Sequence, residues 1–268
     1  MGNGTRRLRG ALSWLLSVAM VWSSPLHAAV TALANQPIGA TGSANVPANV
    51  LLTPSVEYPT AISQAHIGGF NVATVYLGYF DSYKCYDYDA ANGHFVPKGW
   101  TAGVTVVGGA VLRGGAMTCA GRWSGNYLNW ATMQTIDTFR LLMTGGDRVV
   151  DTTTKTVVQK AFASNQGSVS ANFEIKSLTS GVAQVTPYAS GSVHVRVWNM
   201  GRLMRIGFST AAKVQDNTKD ADEIDLNVAV QVCVKDPDSD AGIGKPMLES
   251  NCVGYGSGSD LHYKPEGL

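Results

Sequence analysis

Four cysteines constrain this chain more than any other feature. Cys85, Cys119, Cys233 and Cys252 all follow an N-terminal leader. The leader opens with "MGNGTRRLRG", which carries Arg6, Arg7 and Arg9, and continues as the apolar run "ALSWLLSVAMVW". It closes with "SSPLHAAV", where Pro25 breaks a helix and small residues follow. A basic start, a short apolar stretch and a small-residue end make a secretory signal peptide, whereas a membrane span needs about 20 apolar residues. Residues 1–28 are therefore read as a signal peptide cleaved after Ala28. The Arg6-Arg7 pair lacks the flanking residues of the twin-arginine route. An even number of cysteines in an exported chain points to two disulfides. Four cysteines allow three connectivities, and proximity along the chain favours Cys85–Cys119 with Cys233–Cys252. A zinc site of four thiolates is the rival, and it lacks any Cys-x-x-Cys pair.

The 268 residues carry a net charge of +1, only 15% are charged, and 30 are glycine. A nucleic-acid binder needs a basic stripe that this balance does not supply. Residues 29–48, small and rich in Gly and Pro, read as a linker or ill-ordered mature N-terminus. Residues 49–268 form the folded region, opening near Val50. Residues 61–122 show no long periodic pattern and read as a loop-rich insertion stapled by the first cysteine pair, with short strands expected in "NVATVYLGYF" and "GVTVVGGAVL". One helix is expected across "WSGNYLNWATMQTIDTFRLLMTGG", capped by Ser124 and closed by Gly145-Gly146. Its spacing puts Leu128, Ala131, Thr135, Phe139 and Leu142 on one face. Trp123, Tyr127 and Trp130 read as a core anchor. "SVHVRVWN" and "NVAVQVCVK" alternate as half-buried strands, with His194, Arg196 and Trp198 outward. "HYKPEGL" reads like the lead-in to a further element, so a longer protein is expected.

Catalytic patterns are missing from the sequence. "GRWSGN" lacks both glycines of a nucleophile elbow in register. His66, His94, His194 and His262 have no metal spacing. "DPDSDAGIG" places Asp236, Asp238 and Asp240 as a calcium loop begins, but its glycine comes one place late and Met247 takes the twelfth position, so an Asp/Pro/Gly turn is expected. Asp81, Asp87 and Asp89 are read as part of a solvated aromatic loop.

Several segments together resemble the N-terminal region of the PilY/PilC-type type IV pilus tip-associated proteins. They are "GYFDSYKCYDY", "WSGNYLNWATMQTIDTFRLLMTGGDRVVDT", "VHVRVWN", "VAVQVCV", "ESNCVGYG" and "YKPEGL". The resemblance implies an α/β fold: a von Willebrand factor A-like domain with a disulfide-stapled insertion and additional strands. It implies an exported, non-enzymatic factor that helps minor pilins prime pilus assembly and contributes to adhesion at the pilus tip. Implied partners are minor pilins, with a host surface or extracellular matrix as further partners, at the periplasm, outer membrane or cell surface. The C-terminal β-propeller and calcium loop of such proteins would lie beyond Leu268. An A-type domain carries Asp-x-Ser-x-Ser at the end of its first strand. "NVLLTPSVEYPT" stands there with Ser55 and Glu57 but no aspartate, so no metal residue and no cofactor is assigned. Two alternatives accompany this expectation. One is a carbohydrate- or matrix-binding module using Tyr79, Tyr83, Tyr86 and Tyr88; the other is a secreted hydrolase pairing Glu57 with Asp137 or Asp151.

Overall fold

The computed structural model describes residues 58–107, 110–189, 191–215, 217–234 and 248–268. Ser55, Glu57, the linker and Asp236–Asp240 lie outside the described residues. The fold is mixed α/β with several sheets. A six-stranded sheet runs in the order β5-β1-β2-β12-β7-β6. Its strands are β5 (Trp123–Ser124), β1 (Lys84–Asp89), β2 (His94–Trp100), β12 (Ala229–Val232), β7 (Thr156–Gln159) and β6 (Arg148–Asp151). A four-stranded sheet contains β11 (Ile224–Asn227), β10 (Leu203–Gly207), β9 (Val193–Arg196) and β8 (Lys176–Leu178). Two hairpins complete the strands: β3 (Val104–Val107) with β4 (Ala110–Arg113), and β13 (Cys252–Tyr255) with β14 (His262–Pro265). Among these pairs only β2–β12 is parallel, with Phe95 opposite Val230.

The region read as a loop-rich insertion supplies two core strands instead. β1 and β2 form an antiparallel hairpin. Asp89 closes its turn by accepting the Ala91 and Asn92 N–H groups, and Gly93 takes a left-handed φ of 66°. The alternation here is carried by aromatics and short polar residues rather than aliphatics. Tyr86 and Phe95 are fully buried, and Phe80 meets both edge-to-face. "GVTVVGGAVL" does form the β3–β4 hairpin, whereas "NVATVYLGYF" is a run of turns.

The single long helix is two helices, α2 (Gly125–Thr132) and α3 (Thr135–Thr144). Met133 and Gln134 are extended because they pair with the segment that follows α1 (Tyr58–Ile62). Met133 O accepts Ala65 N at 2.9 Å, and Ser63 O accepts Thr135 N at 2.9 Å. The second helix starts afresh, with Asp137 Oδ2 accepting Gln134 N at 3.0 Å. Ser124 is the N-cap of α2, and Gly145 ends α3 at a φ of 77°. Packing puts α2 against β1 and β5 of one sheet and β9 of the other.

The strands β9 and β12 exist, but β9 is buried on both faces. His194 is 7% exposed and Arg196 1%, against the outward placement expected for them. The cause is α4 (Ala211–Gln215), which packs on β9 and β10. Its Val214 sits over Gly207, the cross-strand partner of His194. Two polar pairs on this face are internal: Ser177 Oγ lies 2.8 Å from His194 Nδ1, and Arg205 binds Asp225 at 2.9 and 3.2 Å.

A buried polar network ties α3 to β7. Lys160 Nζ donates to Gln134 Oε1 at 2.9 Å, Ala161 O at 2.8 Å and Gly201 O at 3.2 Å. Asp137 accepts Ala161 N at 2.7 Å. Burial pushes the Asp137 carboxyl up and lowers the Lys160 ammonium to about 8. A lysine pKa lowered on folding means that the unfolded chain holds more protons between about pH 8 and 10. Stability is expected to rise across that window, with a slope of up to about 1.4 kcal/mol per pH unit. Above about pH 10 the gain reverses, because folding raises the pKa of buried Tyr86 and Tyr127. Urea unfolding at pH 7.5, 8.5 and 9.5 tests this. Lys160→Met should flatten the rise, and an identical slope in that variant would contradict the assignment.

Candidate functional site: a cavity beside the two disulfides

The site is built outward from α2. Asn126 and Asn129 stand one helical turn apart and face the irregular segment 74–82. Asn126 Oδ1 accepts Tyr76 N at 2.9 Å, and its Nδ2 donates to Thr74 O at 2.8 Å. Asn129 Oδ1 accepts Phe80 N at 3.1 Å, while its Nδ2 donates to Tyr76 O at 2.8 Å and Phe80 O at 2.7 Å. These amides give an irregular backbone the partners that a strand ladder would otherwise supply. Close approach demands two glycines. A Cβ on Gly78 would lie 2.2 Å from Asn129 Oδ1, and one on Gly125 2.2 Å from Asp81 O. Trp130 donates to Gly68 O at 3.1 Å and stays buried with Trp123 and Tyr127, the core role expected for that cluster.

Beyond this wall the chain turns at Asp81. Its Oδ1 accepts Tyr83 N at 2.9 Å, and its backbone N–H donates to Tyr86 Oη at 2.9 Å. Lys84 follows with a fully buried side chain. Lys84 Nζ donates to Glu249 Oε1 at 2.8 Å, lies 3.9 Å from Asp81 Oδ2, and sits 5.8 Å from the Trp100 ring centroid. Glu249 Oε2 accepts Cys233 N at 2.8 Å and lies 3.1 Å from the Cys252 sulfur. Arg113 lies 3.5 Å from Asp81 Oδ2 and stacks over Tyr83 and Trp100. Burial first, then the Glu249 and Asp81 carboxylates, push the Tyr86 phenol well above its ordinary value.

The structure bonds Cys85 to Cys119 and Cys233 to Cys252, and no free cysteine remains. The Lys84–Glu249 pair joins the two cross-links: Lys84 adjoins Cys85 in β1, and Glu249 holds the Cys233–Cys252 segment. Cys233, Glu249 and Cys252 bring three possible ligand atoms within 4.8 Å. Both sulfurs are spent in the disulfide, and metal binding requires a thiolate, so this group is read as a structural junction.

A cavity of about 170 Å³ opens beside the junction. Leu141, Val158 and Val232 form its apolar lining, Tyr79 to Tyr83 one wall, and Glu249 to Asn251 another. Of the residues singled out from the sequence, Tyr79, Asp81 and Tyr83 line it, and the others do not converge on it. Tyr79 and Tyr86 are core residues, and Tyr88 Oη accepts Asn227 N at 3.1 Å. Tyr83 instead is half-buried, lines the cavity and lies under Arg113. Asp137 belongs to the buried network, and Asp151 pairs with Arg148 and Lys264. Asp87 pairs with Arg122, and Asp89 caps the β1–β2 turn. Lys84, Glu249 and the two asparagines were missed as positioning residues. The available signal was Asn-x-x-Asn on a helix beside Gly78, which puts two amides on one face.

With this geometry in view, similarity to known proteins is decisive. Residues 68–224 match the family described as "PilY1 homolog, small alpha/beta domain". The chain belongs to the PilY1-homologue family. That match contains the asparagine wall, β1, the first disulfide and the four-stranded sheet up to the start of β11. Two curated PilY1-family relatives come from Xylella fastidiosa (strain Temecula1), each named "Type IV pilus biogenesis factor PilY1 homolog". One is 34% identical over 272 residues, covering 93% of this chain and 20% of the relative. The other is 29% identical over 147 residues, covering 53% of this chain and 9% of the relative. The chain thus spans about a fifth or less of the length of these relatives. No solved structure matches it. Among the described residues, no helix is long and apolar enough to cross a membrane.

Proposed function

We propose that this chain is the N-terminal part of an exported type IV pilus biogenesis factor that acts in pilus assembly and adhesion at the pilus tip, without enzymatic activity. The observation that carries this reading is membership in the PilY1-homologue family. The leader over residues 1–28 and the two cross-links support an extracytoplasmic site, the periplasm or cell surface, where disulfides persist. Minor pilins and the pilus tip are the proposed partners, with a host surface or matrix as the adhesion target. The von Willebrand factor A-like architecture rests on resemblance alone. The described ladders are antiparallel but for one pair, whereas a doubly wound sheet needs parallel neighbours joined by crossovers. Surface piliation after clean deletion of the gene tests the proposal.

A further inference from the structure

The two disulfides sit in surroundings of very different stability. Cys85 and Cys119 are 5% and 3% exposed, and Cys85 lies in β1, laddered between β2 and β5 beside the fully buried Tyr86. Reaching that bond requires the six-stranded sheet to open. Cys252, by contrast, is half-buried and begins β13, whose other three residues are exposed. Among the described residues β13 ladders only with β14, and no ladder joins this hairpin to either large sheet. An isolated two-stranded hairpin is marginal in water. Side chains supply much of the remaining attachment: Lys264 Nζ donates to Asp151 Oδ1 at 2.6 Å, and the Arg148 guanidinium donates to Pro265 O. The Asp151 side chain is 39% exposed, and ion pairs that solvent reaches contribute little. At the other end of the cross-link, Cys233 holds a left-handed φ of 57°, a strained conformation for a residue with a Cβ. Opening of the hairpin alone therefore uncovers the Cys233–Cys252 bond while both large sheets stay folded. Strained or exposed disulfides are the labile ones. Glu249 gives the reaction a direction. Its Oε2 lies 3.1 Å from Cys252 Sγ, so a thiolate left on Cys252 would stand against a carboxylate.

We propose that Cys233–Cys252 is an exchange site for an external dithiol, and that its reduction frees the β13–β14 hairpin while Cys85–Cys119 keeps the six-stranded sheet intact. One thiolate of the dithiol attacks Cys252 Sγ and forms a mixed disulfide there. The electron pair of the broken bond leaves on Cys233 Sγ. The second sulfur of the dithiol, as its thiolate, then attacks the first and releases Cys252. The dithiol ends as its own disulfide, and the two cysteines end as thiols carrying the two protons that it gave up. This site stands on the fold and is independent of the pilus reading. To test it, the oxidised chain is treated with dithiothreitol, quenched with N-ethylmaleimide and mapped by peptide mass spectrometry. Cys233 and Cys252 are expected to take the label at least about tenfold faster than Cys85 and Cys119. In denaturing urea the two pairs should react at similar rates, because the difference comes from the fold. With glutathione, a monothiol, the mixed disulfide should collect on Cys252. Once Cys233–Cys252 is reduced, amide exchange should quicken in β13 and β14 and stay slow in β1. Equal labelling of the two pairs, or earlier labelling of Cys85 and Cys119, would overturn the proposal. So would a preference that persists in urea, glutathione found on Cys233, or a hairpin that stays protected after reduction.

Discussion

Replacing Asn129 with leucine is expected to remove about 4 kcal/mol of folding stability. Leucine branches at the same atom as asparagine but has no polar group. The change leaves Phe80 N, Phe80 O and Tyr76 O without the amide that serves them. Each buried group so stranded costs about 1–3 kcal/mol, and partial entry of water keeps the total below the sum. Asn126→Leu should cost less, about 2 kcal/mol, because its bonds to Tyr76 and Thr74 are only part-buried. Gly78→Ala probes the same contact from the other side, since its methyl would drive Asn129 off the loop. Urea denaturation of the oxidised chain measures all three. A loss below about 1 kcal/mol for Asn129→Leu would show that segment 74–82 is held by something else.

Lys84→Met is the second large effect, expected at about 3–5 kcal/mol. The ammonium is wholly buried, and the Glu249 carboxylate beside it is 10% exposed. Removing the lysine leaves a buried charge whose desolvation is no longer offset. Salt should not rescue the variant, because a buried pair is screened far less than a surface pair. In a double-mutant cycle with Glu249→Gln the two changes should couple by at least about 1 kcal/mol. The Glu249 side also holds Cys233 N, so the Lys84 variant should speed reduction of the Cys233–Cys252 bond by mild thiol. A stability change under about 0.5 kcal/mol, within the range of ordinary surface substitutions, would contradict the clamp.

What could be read from the sequence divides along a physical line. Local signals held: Ser124 as a cap, Gly145 as a left-handed stop, valine alternation in β12, and the buried Trp123, Tyr127 and Trp130. Each depends on neighbours within one helical turn or one strand. Signals set by distant contacts were not legible. The break at Met133–Gln134 arises from pairing with Ser63–Ala65, some 70 residues away along the chain. Burial of His194 depends on α4, which a period-two pattern cannot reveal. β1 and β2 went unread because Tyr, Asp and Lys replace the usual aliphatics, and Lys84 is buried against a carboxylate 165 residues later. Of the site, the cysteines and the "WSGNYLNW" segment stood out in the sequence. Their linkage through Lys84 and Glu249 became visible only once the two sheets and both cross-links were placed together.

The most direct test of the account is surface piliation in a strain lacking the gene, counted by electron microscopy beside its complemented parent. Pili should be absent or nearly so in the deletion strain and should return with the complete wild-type gene. Normal numbers of surface pili in the clean deletion would contradict a role in pilus biogenesis.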